Sequence, residues 1–161
     1  MKNKDIIVLS QALQLVGNLT GIKFVYGVVK NMNILKPEIE LLQKTIEASD
    51  KFIEYDTKRI ELAKKYSSKD EKGNPMVQEN EFVISDRAGF DKEIEKLKKE
   101  YKKVLDIREE QLKQYRELLE ENADIKLHMI NFEDVPVNIT SAQLSGIFCL
   151  IKEEKIEKAK K

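Results

Sequence analysis

The sequence of 161 residues is poor in several residue types: it contains no tryptophan, one histidine, one cysteine, three prolines and six glycines. The single cysteine, Cys149, excludes a disulfide within the chain and gives no sign of an oxidising compartment. The single histidine, His128, excludes a metal site built from several histidines of one chain. No apolar run approaches the ~20 residues of a membrane-spanning helix. Asp5, Gln11 and Gln14 interrupt the N-terminal apolar residues, so no signal peptide is expected and we predict a cytoplasmic protein.

An excess of one charge is also missing, because 29 basic and 29 acidic residues cancel. A neutral chain has no global field that would draw it to nucleic acid or to an anionic membrane, so neither is expected as a partner. Lys, Glu, Leu and Ile are abundant and charged residues make up 36% of the chain, which is typical of long solvent-exposed helices. We therefore predict a mainly α (α+β) fold that forms a single elongated domain over residues 1–161.

Apolar residues recur at helical spacing through the first half of the chain. A short amphipathic helix and turn is predicted over residues 1–21, followed by a long helix over residues 22–66. Pro37 removes a backbone donor from this long helix, so a kink is expected near it. One face of the helix carries a column at every seventh residue, flanked by a second column that becomes polar after its third member. The first column is Val25, Met32, Ile39, Ile46, Ile53 and Ile60, and the second is Val28, Leu35, Leu42, Ser49, Asp56 and Ala63.

Residues 67–89 contain the only sustained loop chemistry, and a small β-hairpin is predicted there from Met76-Val77 and Phe82-Val83-Ile84. A further long helix is predicted over residues 86–122, with apolar residues at alternating steps of four and three. The two long helices must pack antiparallel if each is to bury its apolar face within the chain. The expected architecture is therefore a long antiparallel helical hairpin with two shorter flanking helices and a small β element.

The last part of the chain, residues 124–158, is predicted to hold a strand and a C-terminal helix. Ile125, Leu127 and Met129 alternate with other residues as in a strand, whose pairing partner we expect on another subunit or across a bent helix. Thr140 and Gln143 have the spacing of a capping box for the final helix. The charged residues 152–161 are expected to fray.

Residue types that carry chemistry are sparse, and each has a structural explanation. His128 with Glu133 and Asp134 is a weak metal-site candidate, and a surface histidine on a strand is the better interpretation. Cys149 lies among apolar residues and is expected to be a small buried hydrophobe. Six lysines of the helix predicted over residues 86–122 could contact phosphates, but they alternate with carboxylates as on a solvated helix: 92, 96, 98, 99, 102 and 103. We expect no enzymatic activity and no cofactor.

Three segments are similar to those of a known family. They are Lys23, Tyr26, Val29, Lys30 and Asn31; Lys65-Tyr66 followed by Asp70-Glu71-Lys72-Gly73-Asn74; and Phe132-Glu133-Asp134-Val135 with Ile139-Thr140 and Gln143-Leu144. In this order they resemble small proteins encoded by phages and prophages of low-GC Gram-positive bacteria. The chain departs from that family by an extension of the helix predicted over residues 86–122, roughly Lys98 to Asn122. The resemblance implies a phage or mobile-element origin, and none of the segments is a catalytic signature.

These observations predict a non-enzymatic interaction protein, phage-encoded, that binds a host or phage protein in the host cytoplasm. An inhibitor of a bacterial defence system is one such class. The alternatives are a phage structural or assembly protein that forms a homo-oligomer, and a nucleic-acid-binding protein that uses Lys92 to Lys103. The candidate partner-binding residues lie on the two helical seams and on the predicted strand: Ile46, Ile53, Ile60, Tyr101, Tyr115, Ile125, Leu127 and Met129.

Overall fold

A computed structural model describes residues 1–152 and confirms a mainly helical fold with a small β component. The helices are α1 (Asn3–Leu15), α2 (Ile22–Thr45), α3 (Asp50–Tyr66), α4 (Arg87–Glu100), α5 (Lys102–Glu120) and α6 (Ser141–Ile147). The strands are β1 (Val77–Gln78), β2 (Glu81–Phe82), β3 (Ile130–Asn131) and β4 (Ile151–Lys152). Where one domain was predicted, the chain divides into two compact units: unit 1 is Met1–Thr45 with Tyr115–Lys161, and unit 2 is Ile46–Gln114. The predicted fraying of residues 153–161 lies outside the described residues.

Unit 1 is built around α1, which packs against both α2 and α6. The fully buried apolar side chains of its core come from all three helices and the turn after α6: Ile6, Leu13, Val16, Phe24, Leu35, Ile147 and Leu150. The N-terminal backbone is hydrogen bonded to the residues that follow α5. The Asn3 amide donates to the Glu121 carbonyl at 2.9 Å, and the Ala123 amide donates to the Met1 carbonyl at 2.9 Å.

The long helix predicted over residues 22–66 is two helices, and the break is not at Pro37. Pro37 lies inside α2, where it and Asn33 are both exposed, so water can hydrogen bond to the carbonyl that Pro37 leaves without a donor. The helix instead ends at Thr45, and α3 begins after Ser49, whose Oγ accepts from the Phe52 amide at 3.3 Å. A serine that interrupts an apolar column was therefore a helix N-cap.

The buried face of α2 is centred on the second of the two predicted columns. Val28, Leu35 and Leu42 of the second column are buried, together with Phe24, whereas Val25 of the first column is 39% exposed. The cause is the position of α1 and β3, which pack against α2 from the side of its second column. The first column therefore lies at the edge of the helix interface rather than at its centre.

Unit 2 confirms an antiparallel helical hairpin, formed by α3 and α4. Contacts between side chains run in opposite directions along the two helices, since Tyr66 meets Phe90 at a centroid separation of 6.3 Å while Tyr55 meets Tyr101 at 5.7 Å. α4 and α5 are nearly continuous through Tyr101, as predicted for residues 86–122. The predicted β-hairpin is present, with β1 antiparallel to β2 and the positive φ angles of a type I′ turn at Glu79 and Asn80.

The strand predicted at residues 125–129 lies further along the chain and has a partner within it. Ile130 and Asn131 of β3 pair in parallel with Ile151 and Lys152 of β4. The predicted C-terminal helix is short, because α6 ends at Ile147 and one 3-10 turn leads into β4. The capping box is confirmed, with the Gln143 amide donating to Thr140 Oγ1 at 3.3 Å.

Candidate protein-binding surface

Helix α2 carries a stripe of large apolar side chains that the fold leaves in solvent. Ile22, Val25, Tyr26 and Val29 are 91%, 39%, 60% and 48% exposed, and they follow the i, i+3, i+4, i+7 spacing of one helix face. We call these four residues the α2 stripe. Because the opposite face of α2 packs into the core of unit 1, the stripe is held on a fixed element rather than on a loop.

The segment that leads into β3 is hydrogen bonded to α2, beside the stripe, through the buried side chain of Asn31. Asn31 is fully buried, and its carboxamide binds the backbone of His128 on both sides. Its Nδ2 donates to the His128 carbonyl at 2.8 Å, and its Oδ1 accepts from the His128 amide at 2.8 Å. Nδ2 also donates to the Gly27 carbonyl at 3.0 Å. The side chain thus acts like a neighbouring strand, and it sets where His128 and Met129 stand relative to α2.

Gly27 allows the close approach of that segment to the helix. A Cβ built on Gly27 would lie 2.7 Å from Cγ1 of Ile130, which is shorter than real Cβ contacts allow. Without a side chain at this position the isoleucine reaches the helix backbone and is 3% exposed. The glycine and the asparagine together place β3 against α2.

A cavity of about 460 Å³ lies where the stripe meets this segment, and we call it the Tyr26 cavity. Tyr26 and His128 form one wall, with ring centroids 5.8 Å apart and planes at 89°. The remaining lining residues combine apolar and polar groups: Ile22, Lys23, Met129, Ile130, Asn131 and Asp134. A volume in this range is enough for a side chain of a partner.

The charged groups around the stripe are mostly basic. Lys23 Nζ lies 3.4 Å from Asp134 Oδ1, with the lysine side chain 75% exposed. Lys30 Nζ lies 5.5 Å from the centroid of the Tyr26 ring, a cation–π contact. The sequence from residue 22 to residue 37 contains three lysines and no carboxylate. The surface is therefore an apolar stripe with a basic edge.

The candidate residues predicted in unit 2 do not form one surface. Ile53 is 52% exposed on α3, and Ile46 and Ile60 are half-buried. Tyr101 is 7% exposed and packs between α3 and α4, so its ring serves the hairpin. Of the four, Ile53 offers the most accessible side chain.

The candidates predicted in unit 1 also separate. Ile125 and Leu127 are half-buried against the core, and Tyr115 is half-buried on α5. Met129 is 46% exposed and lines the Tyr26 cavity, so it is the one candidate that belongs to the surface described above. Sequence reasoning missed Ile22, Tyr26 and Val29 as exposed residues. The stretch without carboxylates from residue 22 to residue 37 was the signal that could have directed attention to them.

Tyr101 joins a polar cluster at the edge of the α3–α4 packing. Its hydroxyl donates to Glu54 Oε1 at 2.6 Å and accepts from Lys58 Nζ at 2.7 Å. Lys51 Nζ donates to Glu54 Oε2 at 2.9 Å. The hydrogen bond from Tyr101, with those from Lys51 and Lys58, lowers the pKa of Glu54 to about 2. Lys58 Nζ also lies 3.8 Å from Glu100 Oε1, so each charge of this cluster has a neighbour of opposite sign, and the cluster joins α3 to the end of α4.

Cys149 corrects a prediction, because it is exposed and not buried. The 3-10 turn Phe148–Leu150 follows α6 and rotates Cys149 outward while its neighbour Leu150 is fully buried. Partial desolvation still raises the pKa of the thiol above its ordinary range. A thiol with a raised pKa is not an activated nucleophile.

No group of three or more His, Cys, Asp or Glu residues within residues 1–152 is placed to hold a metal ion, and none of the helices there is long and apolar enough to cross a membrane. Two of the six lysines noted on α4 and α5 are paired, Lys96 with Glu93 at 2.8 Å and Lys102 with Asp106 at 2.7 Å.

Comparison of the chain with protein-family models, curated proteins and solved structures found no match.

Proposed function

We propose that the protein is a non-enzymatic protein–protein interaction module whose α2 stripe, with Met129, docks on a partner protein. The observation that carries this proposal is the exposure of four large apolar side chains on one face of a packed helix. Single exposed apolar residues are ordinary on protein surfaces, but a contiguous set next to a cavity is typical of interaction sites. Burying these side chains would supply the apolar centre that stable interfaces have.

The stripe is already ordered before a partner arrives. Phe24 and Val28 hold the opposite face of α2 in the core, and Asn31 fixes the segment that carries Met129. A site that is fixed in advance avoids much of the ordering entropy that association otherwise costs. Docking therefore needs no rearrangement of the backbone of unit 1.

The similarity to phage and prophage proteins favours a host or phage protein as the partner, and inhibition of a bacterial defence system is one way in which such binding would act. Self-association through the same stripe is less favourable. An antiparallel two-fold pairing of the stripe would bring the basic edge with Lys23 and Lys30 against its own copy, and like charges placed opposite each other repel.

Site-specific photocrosslinking in a Gram-positive host tests the proposal. Benzoylphenylalanine is introduced in place of Tyr26 on the stripe or, as a matched control, in place of Ile53, which is also about half exposed but lies on α3. We expect a discrete crosslinked product from position 26, none from position 53, and loss of the product when Val29→Glu is added.

The proposal fails if the position 26 reporter gives no product, or if its product survives Val29→Glu. Because Val29 is 48% exposed, the charge enters solvent and not the core, and circular dichroism should show an unchanged fold. Equal products from positions 26 and 53 would also contradict the proposal, since they would show nonspecific capture.

A further inference from the structure

We infer that the occupant of the α2 stripe is an acidic amphipathic helix of a partner protein, with an apolar side chain in the Tyr26 cavity and carboxylates opposite Lys23 and Lys30. This inference rests on the proposed function and adds the chemistry of the partner. It follows from three observations on unit 1: the charge of the stripe's edge, the spacing of that charge, and the lining of the cavity.

The edge of the stripe is basic and only partly neutralised. Lys23 has one carboxylate near it, Asp134 at 3.4 Å, and its side chain remains 75% exposed. Within residues 1–152 no salt bridge involves Lys30, whose Nζ instead lies over the Tyr26 ring at 5.5 Å. No acidic residue occurs from residue 22 to residue 37 to compensate them. A partner with carboxylates is therefore electrostatically complementary to this edge.

The spacing of the two lysines favours a helical partner. Residues seven apart on α2 lie on the same side of the helix, about 10.5 Å apart at ~1.5 Å per residue. Two carboxylates seven residues apart on a partner helix have the same separation. Side chains on one face of a strand recur every ~6.6 or ~13 Å, which does not match. The apolar residues Ile22, Val25, Tyr26 and Val29 span the same two turns, as in interfaces that pair amphipathic helices.

The Tyr26 cavity selects an apolar side chain at the centre of that helix. Ile22, Met129 and the buried Ile130 line it, and the Tyr26 and His128 rings close one side at 5.8 Å from each other. Asp134 on the cavity wall disfavours an anionic membrane surface as the occupant, because its carboxylate would face the phosphates of such a membrane.

Binding of designed peptides to the full chain tests the inference. The acidic peptide, about 16 residues long, carries leucines at i, i+3, i+4 and i+7 with glutamates seven apart beside them, and the control peptide has lysines in place of the glutamates. Fluorescence anisotropy should show binding of the acidic peptide about tenfold tighter than of the control peptide, with a loss of this preference from about 50 to about 500 mM salt.

Reversing the charges of Lys23 and Lys30 tests whether the preference for the acidic peptide arises at the edge of the stripe. In the double variant Lys23→Glu with Lys30→Glu the preference should invert toward the basic peptide. A matched double variant on α4, Lys98→Glu with Lys99→Glu, should leave it unchanged, since those exposed lysines belong to unit 2.

Equal affinity for both peptides, no binding of the acidic peptide, or a preference that the Lys23 and Lys30 changes leave intact would overturn the inference. Binding to vesicles of phosphatidylcholine and phosphatidylserine at about 3:1 that Tyr26→Ala abolishes would also overturn it, in favour of a membrane. The outcome is separable from the proposed function. A specific crosslink from position 26 together with no charge preference would keep protein docking and remove only the acidic helix.

Discussion

The carboxamide of Asn31 is fully buried, so its removal should measurably destabilise unit 1. In Asn31→Ala the His128 amide and carbonyl each lose a hydrogen-bond partner at 2.8 Å. The Gly27 carbonyl also loses the Asn31 side chain, but it still accepts the backbone hydrogen bond of helix α2. An unsatisfied buried polar group costs about 1 to 3 kcal/mol. Because His128 is only half-buried, the lower part of that range applies to each group, and the truncated side chain leaves a small void. We expect the free energy of unfolding to fall by about 2 to 4 kcal/mol.

Asn31→Asp adds a pH dependence that separates hydrogen bonding from packing. One carboxyl oxygen can still accept from the His128 amide, but the other replaces Nδ2 and faces the His128 carbonyl. Burial and that carbonyl raise the pKa of the new carboxyl above the ~3.9 of the unfolded chain. The protonated form can donate to the carbonyl, so its stabilising effect is present below pH ~3.9 and is lost as the pH rises through the raised folded pKa. This variant should therefore recover stability relative to Asn31→Ala as the pH is lowered.

Urea unfolding followed by circular dichroism measures both effects, and amide hydrogen exchange at His128 reports the local contact. Asn33→Ala is the matched control, because Asn33 is exposed on the same helix two residues further along. The reasoning is refuted if Asn31→Ala unfolds at the same urea concentration as Asn33→Ala, or if exchange at His128 is no faster than in the parent chain. A penalty in Asn31→Asp that does not change with pH would refute the hydrogen-bonding assignment alone.

Three further perturbations have defined outcomes. Gly27→Ala should lower the free energy of unfolding by about 1 to 3 kcal/mol in urea, because the added Cβ would lie 2.7 Å from Cγ1 of Ile130. In a double-mutant cycle, Ile130→Ala should relieve part of this clash. Tyr101→Phe should raise the pKa of Glu54 from about 2 toward its ordinary 4.5 in an NMR titration of the side chain, because the depressed value depends first on the tyrosine hydroxyl. Stability from that carboxylate is present above its unfolded pKa and is lost as the pH falls through the folded value, so the parent should lose more stability than Tyr101→Phe between about pH 5 and pH 2. Arg108→Ala should cost about 1 to 2 kcal/mol in urea unfolding, since Nη1 donates to the Ile46 carbonyl at 2.7 Å, and Arg108→Lys should recover part of it.

Periodicity predicted the helices of this chain well but did not predict which side of α2 is buried. The columns that begin at Val25 and Val28 are both apolar, and only the position of α1 and β3 determines that Val28 is buried and Val25 lies at the edge. Local chemistry decided the helix boundaries. Ser49 could have been interpreted as an N-cap from its type alone, whereas the tolerance of Pro37 depends on solvent at Asn33, which no local pattern contains.

The candidate site was the least predictable part. The role of Asn31 depends on a backbone 97 residues away in sequence, and no spacing rule links a helix asparagine to such a segment. The pairing of β3 with β4 was unpredictable for the same reason, since two residues per strand leave no alternation to detect. Tyr26 and Val29 were visible in the sequence, but their exposure follows from tertiary packing that composition cannot supply.

Unit 1 is assembled from two separated stretches of sequence, while unit 2 is one continuous stretch between them. During synthesis from the ribosome, the apolar face of α2 around Phe24 and Leu35 is made before Ile130, Ile147 and Leu150, which complete the same core. Residues 46–114 have no such delay and can fold while that core is still open. The order of translation therefore predicts that the packing behind the α2 stripe is completed last, when β4 pairs with β3, and that chains truncated before Ile151 would leave the apolar core of unit 1 exposed and prone to aggregation.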